Sequence, residues 1–140
     1  MLNKILVQEK INKIENYTKE IEPLLKFSVD EIMADILKLR TLERNFQLIV
    51  DTILDINTHI IAAENLKAPD NLQETLSILG EAGILPFEFV EKFAPAVGLR
   101  NKIVHDYEKI DQKKVITDLK NEMEQFAQYI VCIDEFINKK

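Results

Sequence analysis

The chain has 140 residues, of which 46% are hydrophobic and 30% are charged, and its formal net charge at pH 7 is -6. This length is enough to bury the core of one domain, and we expect residues 1–140 to form a single unit. A net negative charge disfavours non-specific electrostatic binding to nucleic acid, so we expect no DNA partner. The single cysteine excludes an internal disulfide.

The start of the chain, MLNKILVQEKINKIENY, carries a Lys, Gln or Glu every few positions. It therefore contains no uninterrupted apolar segment of the kind that directs secretion, and no stretch long enough to span a bilayer. We expect a soluble, cytoplasmic protein without a membrane partner.

The spacing of the apolar residues predicts helices along the whole chain, because they recur at steps of three and four rather than two. The first helix should stop near Lys26. Ser28 followed by Glu31 forms a capping-box pattern that opens a second helix, which continues almost to Pro69. Such a helix would span roughly 50 Å at ~1.5 Å per residue, so we predict a break near Thr41.

The second half of the chain predicts three further helices. A short one should run from Asn71 to Ala82 and end at Gly83. Pro86 suits the first turn of the next helix, which Pro95 should kink or interrupt. Asp111 should cap the last helix. The apolar stripe of this last helix consists of Ile116, Leu119, Met123, Phe126, Ile130, Ile133 and Ile137. We therefore predict an all-α fold, an up-and-down bundle of four to five antiparallel helices.

One short segment, RNKIVHDY, places Arg100, His105 and Tyr107 close together. Arginine offers a planar fork of donors to phosphate oxygens, and histidine can give or take a proton near neutrality. The surrounding stretch from Lys92 to Lys114 holds six basic and three acidic residues, a local net charge of +3 in an acidic chain. The segment therefore predicts a site for chemistry on phosphate.

The sequence around this segment resembles the signature region of the HEPN superfamily, and specifically of the HepT-like (DUF86) toxins. The region from Ile84, ILPFEFVEKFAPAVGLRNKIVHDYEKID, carries the match. Its matching features are Pro86, Phe87, FAPAVG at 93–98, Arg100, Asn101, four residues between Arg and His, His105, Tyr107, Ile110 and Asp111. Upstream, Leu42 to Glu64 resembles the family's long helix, with a Glu-Arg pair at Glu43 and Arg44 and Asp-x-x-x-His at Asp55 and His59.

The resemblance implies the toxin of a type VII-like toxin–antitoxin pair, of the HepT/MntA kind. Such a toxin is a homodimeric, metal-independent endoribonuclease with an RX4HXY motif and no cofactor, acting on tRNA or mRNA. An MntA-like nucleotidyltransferase antitoxin inactivates it by transferring AMP from ATP to the motif tyrosine. The match, residue by residue, makes Arg100 and His105 catalytic, Asn101 supporting and Tyr107 the site of modification.

Cleavage of RNA without a metal uses the neighbouring 2'-hydroxyl as nucleophile, so the protein must supply a base, an acid and positive charge. His105 can act as base or acid, and Arg100 can hold two phosphate oxygens. At ~100° per residue the two lie about 140° apart on an ideal helix. Either the helix ends inside the motif or two subunits bring their copies together across a two-fold axis, and we favour the second. Asn101, one turn before His105, is expected to orient its ring.

Asp51, Asp55 and His59 fall on one helical face at steps of four. We interpret them as a polar stripe that lines the dimer cleft, with Asp55 fixing the His59 ring. A metal site is the weaker interpretation, because paired Glu-x-x-His motifs and a second ligand helix are missing.

Arg40 and Arg44 are interpreted as solvent-facing residues or as ion-pair partners of Glu43 and Asp51, although Arg44 could reach the cleft. The candidate cleft residues are Arg44, Asp55, His59 and Lys102. The competing hypothesis is a non-catalytic HEPN module that binds a nucleotidyltransferase through the same surface, with Tyr107 as a half-buried packing residue.

Overall fold

The computed structural model describes the whole chain, Met1–Lys140, and consists of helices without a β-strand. The six α-helices are α1 (Lys4–Ile21), α2 (Val29–Met33), α3 (Ile36–Ala63), α4 (Glu74–Glu81), α5 (Phe87–His105) and α6 (Gln112–Asn138). A 3-10 turn at Leu24–Lys26 ends the first helical region where the sequence predicts it, and a second 3-10 turn at Tyr107–Lys109 follows α5. The predicted all-α class is confirmed.

The helix α3 lies at the centre of the bundle and packs against all five others. The backbone N–H of Asn3 donates to the His59 ring at one end of α1, and the Asn45 amide donates to the Tyr17 carbonyl near the other end. Contacts in this order mean that α1 and α3 run antiparallel. Each of the other helices is therefore positioned in part by its packing against α3.

Aromatic side chains fix α5 between α3 and α6. The Phe89 ring lies 6.0 Å from Tyr129, and the Phe93 ring lies 6.0 Å from Phe126, so α5 and α6 run antiparallel. The Phe126 ring also lies 6.3 Å from Phe46 on α3. All five rings are buried, and ring pairs at these distances contribute about 0.5–1.5 kcal/mol each beyond their buried area. This cluster anchors the helix whose end carries the RNKIVHDY segment.

Three of the predicted helix boundaries are confirmed, two by side-chain hydrogen bonds and one by its backbone conformation. Ser28 accepts from the Glu31 N–H at 3.1 Å, and the Glu31 carboxylate accepts from the Ser28 N–H at 3.0 Å, which completes the capping box at the start of α2. Asp111 caps α6 by accepting from the Lys114 N–H at 3.2 Å. Gly83, with φ of 76°, follows α4 in the left-handed conformation that terminates helices.

One predicted helix break is misplaced, and one predicted interruption does not occur. The second helical region breaks at Asp35 and not near Thr41, because Asp35 adopts an extended conformation and its carboxylate accepts from the N–H groups of Leu37 and Lys38. Of the two outcomes predicted for Pro95, a kink or an interruption, the interruption is wrong, because the helix continues from Phe87 to His105. The packing of the Phe89 and Phe93 turn against α6 holds this helix in spite of the hydrogen bond that proline removes.

The central helix α3 is long and apolar enough to cross a bilayer by length and composition alone. However, 56% of its most apolar window is buried inside the protein. That burial is typical of the core helix of a bundle, since a spanning helix would present this surface to lipid.

A buried hydrogen-bond network ties α6 to α3 and α4, and it makes Tyr129 a test of stability. The Tyr129 hydroxyl donates to the Asn57 side-chain oxygen at 2.6 Å, and the Asn57 amide donates to the Thr75 hydroxyl at 3.2 Å. Tyr129→Phe leaves the Asn57 oxygen unpaired, so we expect it to lower the free energy of unfolding by about 1–3 kcal/mol in urea denaturation. Tyr17→Phe is the matched control and should change it far less; equal effects of the two variants would contradict the role of this network.

A half-buried carboxyl on α6 makes the stability depend on pH. Burial, and then the charge of Asp118 one turn away, raise the pKa of Glu122 from 4.5 to about 7, and its Oε2 has no hydrogen-bond partner. The folded state therefore binds a proton that the unfolded chain has lost, so stability should fall as the pH rises from 4.5 to 7.

The substitution Glu122→Gln removes this titration. We expect the variant to melt at a higher temperature than the wild type at pH 8 and at the same temperature at pH 4. The exposed Glu124→Gln serves as control and should leave the difference between the two pH values unchanged. A higher melting temperature of the wild type than of Glu122→Gln at pH 8 would contradict the assignment of the pH dependence to Glu122.

Candidate functional site

The RNKIVHDY segment covers the last turns of α5 and the start of the 3-10 turn that follows, and its side chains contact α3 and the start of α6. The helix α5 ends at His105, and Asp106 leaves the helical conformation with φ of -145° and ψ of 40°. Tyr107 then begins the 3-10 turn that leads into α6. The helix thus ends inside the motif but only after the histidine, so Arg100 and His105 stay on one helix and point away from its axis in different directions.

Arg100 is held in place by a carboxylate from α3. Its Nε donates to Asp51 Oδ1 at 2.6 Å, and its Nη1 donates to Asn101 Oδ1 at 3.1 Å. The arginine side chain is only 18% exposed, and that of Asp51 is 32% exposed. Because Nε and Nη1 are engaged, the remaining donors on Nη2 are available to a phosphate oxygen. The guanidinium is therefore held in one orientation by Asp51 and Asn101.

Asn101 does not contact the His105 ring in the way that its spacing predicts. Its side-chain oxygen accepts from the Arg100 guanidinium, and no hydrogen bond joins it to His105, so the predicted orientation of the imidazole by Asn101 is wrong. A charged guanidinium is a strong hydrogen-bond donor, and it lies 3.1 Å from the Asn101 oxygen. Asn101 therefore supports the arginine rather than the histidine.

His105 is exposed at the last position of α5. No side-chain or backbone group of the chain forms a hydrogen bond with its ring. An imidazole in this position is open to a ligand, or to a second protein chain, on both nitrogens.

Tyr107 is surrounded by side chains from α3 and α6. Its hydroxyl donates to Glu43 Oε1 at 2.8 Å and accepts from Gln112 Nε2 at 2.9 Å. Arg40 also contacts the hydroxyl through Nη1, and its guanidinium lies 5.0 Å from the centre of the tyrosine ring. The same Nη1 lies 2.9 Å from Glu43 Oε1, which confirms the predicted ion pair between Arg40 and Glu43. These four residues, Arg40, Glu43, Tyr107 and Gln112, are called the tyrosine cluster below.

The polar stripe on α3 divides between two neighbouring helices. Asp51 faces α5, whereas Asp55 lies 3.6 Å from the Lys10 ammonium of α1 and His59 accepts through Nε2 from the Asn3 N–H at 3.0 Å. The prediction that Asp55 fixes the His59 ring is therefore wrong, since the ring is held by the start of α1. The three side chains do not converge, and the chain has no group of three His, Cys, Asp or Glu side chains placed to share a metal ion.

The other candidate cleft residues are exposed. Arg44 donates to Gln47 at 3.3 Å and does not pair with Asp51. Lys102 lines a groove of about 350 Å³ between α5 and α6, together with Lys109 and Lys114. The place of Arg44, Lys102, Asp55 and His59 in a dimer cleft stays a prediction.

The fold and the site define a HEPN-type helical bundle with an RX4HXY motif at the end of one long helix. The sequence profile of the family described as "Ribonuclease HepT-like" matches residues 14–133. This match covers most of the chain and includes both α3 and the whole motif. The chain belongs to the ribonuclease HepT-like family.

Relatives of this chain are similar over nearly their full lengths. It is 27% identical over 134 residues to the tRNA nuclease HepT of Aphanizomenon flos-aquae, with 95% of this chain and 90% of that protein covered. It is 26% identical over 136 residues to the mRNA nuclease HepT of Shewanella oneidensis, with 94% and 98% covered.

A solved structure shows the same fold. The tri-AMPylated Shewanella oneidensis HEPN toxin, in complex with its MNT antitoxin, superimposes with a TM-score of 0.86 at 24% identity, covering 95% of this chain and 98% of that one.

Proposed function

We propose that this protein is the toxin of a type VII-like toxin–antitoxin pair and acts as a metal-independent endoribonuclease. The observation that carries the proposal is the end of α5, where a positioned Arg100 and an open His105 stand five residues apart in a family whose relatives are named as tRNA and mRNA nucleases. RNA is therefore the proposed substrate. Because RNA and the ATP that donates AMP are both present in the cytoplasm, we propose that the protein acts there.

The two side chains supply complementary parts of the reaction. Arg100, fixed through Nε on Asp51, offers Nη2 to the phosphate oxygens and stabilises the charge that develops on the phosphorane. His105 takes the proton of the 2'-hydroxyl or gives one to the departing 5'-oxygen. Asn101 supports this site through its hydrogen bond to the guanidinium.

A single copy of the motif leaves its two catalytic groups apart. Arg100 and His105 remain on one continuous helix, and the angle of about 140° between them keeps the imidazole from facing the guanidinium. Two copies related by a two-fold axis bring the arginine of one protomer towards the histidine of its partner. The active form is therefore a homodimer with the motif at its interface.

Tyr107 is the site at which the antitoxin acts. An MntA-like nucleotidyltransferase transfers AMP from ATP to its hydroxyl, which adds a negative charge and a nucleoside at the end of α5. This group repels the RNA phosphates and occupies space at the end of α5, where His105 lies, so cleavage stops. The related Shewanella oneidensis toxin is tri-AMPylated in its complex with an MNT antitoxin.

Cleavage of total RNA by the purified protein in excess EDTA tests the proposed activity. The wild-type protein should produce discrete fragments with 2',3'-cyclic phosphate ends, because the 2'-hydroxyl is the nucleophile. Cleavage that needs added Mg²⁺, or fragments with 5'-phosphate ends, would contradict this mechanism.

One observation favours a second candidate function. Arg100 is 18% exposed and already paired with Asp51 in a chain of net charge -6, which also suits a module that binds its nucleotidyltransferase partner without cutting RNA. In that case the RNA would remain intact in EDTA and the complex with the partner would still form.

The Asp51 carboxylate should position Arg100 and thereby affect the rate. Asp51→Asn removes the charge that holds Nε, so we expect kcat to fall by up to about 10²-fold with a smaller change in KM, because misplacement of a catalytic group by about 1 Å has effects of this size. Asp51→Glu should restore part of the rate. Asp134→Asn, near the other end of α6, is the charge-matched control; equal kcat for Asp51→Asn and the control would contradict the positioning role.

A further inference from the structure

The tyrosine cluster contains more polar chemistry than an anchor for Tyr107 requires. The hydroxyl donates its proton to Glu43 Oε1 at 2.8 Å and at the same time accepts from Gln112 Nε2 at 2.9 Å. Arg40 Nη1 contacts the same oxygen. A phenol whose oxygen accepts hydrogen bonds and whose proton points at a carboxylate is arranged to lose that proton, since the donors stabilise the oxygen anion that forms.

The carboxyl of Glu43 is unusual for a residue with only a structural part. Its side chain is 4% exposed, and its second oxygen, Oε2, is buried without a hydrogen-bond partner. A carboxyl oxygen left unpaired in the interior destabilises the fold, and an anchor for the tyrosine hydroxyl requires only one of the two oxygens.

The environment also makes the carboxyl a better proton acceptor. Burial raises the pKa of Glu43, although the Arg40 guanidinium at 2.9 Å opposes the shift. A raised pKa brings the carboxyl closer to the phenol in proton affinity, which favours transfer from one to the other. The groups that face Glu43 are Arg40 on its own helix, Tyr107 after α5 and Gln112 on α6.

We infer that Glu43 is the general base that activates Tyr107 for AMP transfer, so that the toxin supplies part of the catalytic machinery for its own inactivation. This inference rests on the proposed function, in which a nucleotidyltransferase presents ATP to the hydroxyl. The Tyr107 oxygen attacks the α-phosphorus of ATP and forms an O–P bond, while the bond from that phosphorus to the β-phosphate oxygen breaks. Pyrophosphate leaves with the electron pair, and the hydroxyl proton passes to Glu43 Oε1.

Arg40 covers the side from which the triphosphate arrives. Its side chain is 50% exposed, whereas that of Glu43 lies beneath it. An incoming phosphate draws the guanidinium from the hydroxyl to its own oxygens, which frees a lone pair on the tyrosine for attack. After transfer, the same guanidinium neutralises the phosphodiester that joins AMP to Tyr107.

The test measures AMP transfer to the folded, full-length protein by its cognate nucleotidyltransferase with ATP labelled at the α-phosphate. Glu43→Gln keeps the size of the side chain and a hydrogen-bond acceptor for the hydroxyl but removes the base. We expect the initial rate of labelling to fall by about 10²-fold or more, as for the loss of a general base, and Glu43→Asp to recover part of it. The wild-type rate should rise with pH as the Glu43 carboxyl ionises, and Glu43→Gln should lose that rise.

Two controls separate the possible failures. Glu122→Gln removes a second carboxyl whose pKa is raised by burial and should label at the wild-type rate. Melting curves verify that each variant is folded. Wild-type protein that takes up no label would contradict the proposed modification, and the inference would fall with it. If the wild type is labelled, and Glu43→Gln is labelled at the same rate and with the same pH profile, the inference is overturned while the proposed modification stands.

Discussion

Replacing His105 with alanine should lower the rate of RNA cleavage by about 10²- to 10⁴-fold, the usual contribution of a proton-transfer group. The imidazole is exposed at the end of α5 and has no hydrogen bond within the chain, so its removal should leave the fold intact. Fragment formation from total RNA in EDTA measures the rate of cleavage. An unchanged melting temperature verifies that the variant is folded.

The companion variant Arg100→Ala should lose about 10²- to 10³-fold, since it removes a donor aimed at the developing phosphorane charge. Arg100→Lys should not restore the rate. The planar guanidinium can donate to Asp51 and to a phosphate at the same time, whereas a compact ammonium lacks this geometry. The exposed Lys109→Ala is the control for loss of a nearby positive charge. Wild-type cleavage by either the Arg100 or the His105 variant would contradict the assignment.

Tyr107→Phe should abolish AMP transfer and leave a toxin that its antitoxin cannot inactivate by modification. The reason is that only the hydroxyl oxygen can form the bond to AMP, and this variant lacks it. Intact mass after co-expression with the nucleotidyltransferase should show the wild-type protein heavier by one or more AMP units and the variant unmodified. Tyr17→Phe removes a tyrosine hydroxyl outside the cluster and is the control, which should gain the same mass as the wild type.

An AMP adduct on Tyr107→Phe would place the modification on another residue. In cells, the variant should remain toxic in the presence of the nucleotidyltransferase, whereas the wild type should not. Relief of toxicity in both would mean that the antitoxin acts by binding alone.

Local signals in the sequence predicted the helix ends that depend on neighbouring residues. The capping box of Ser28 and Glu31 and the cap at Asp111 are closed by hydrogen bonds over three residues, so the sequence contains both partners side by side. The break at Asp35 was missed because Ile32 and Ile36 keep a helical spacing of four across it. In the structure Ile32 is buried and Ile36 is 56% exposed, so that spacing does not mark one continuous face.

The motif itself was visible in the sequence, but the residues that hold it were not. Asp51 is 49 positions from Arg100, and Glu43 is 64 positions from Tyr107. Which turn of α3 faces which turn of α5 is decided by the packing of the aromatic core, and no local pattern encodes it. Glu43 lies four residues after Leu39 and three before Phe46, which are both buried, and a carboxyl on that apolar face of the helix is the one signal that could have pointed to the tyrosine cluster.

The most direct test of the central claim is to mix the two inactive variants. If the active site takes its arginine from one protomer and its histidine from the partner, heterodimers of Arg100→Ala and His105→Ala contain one intact pair and should regain part of the wild-type cleavage. Mixing Arg100→Ala with the double variant, which offers no intact pair, is the control. Subunit exchange confirmed by mass, with cleavage no higher than that control, would contradict a site shared between two protomers.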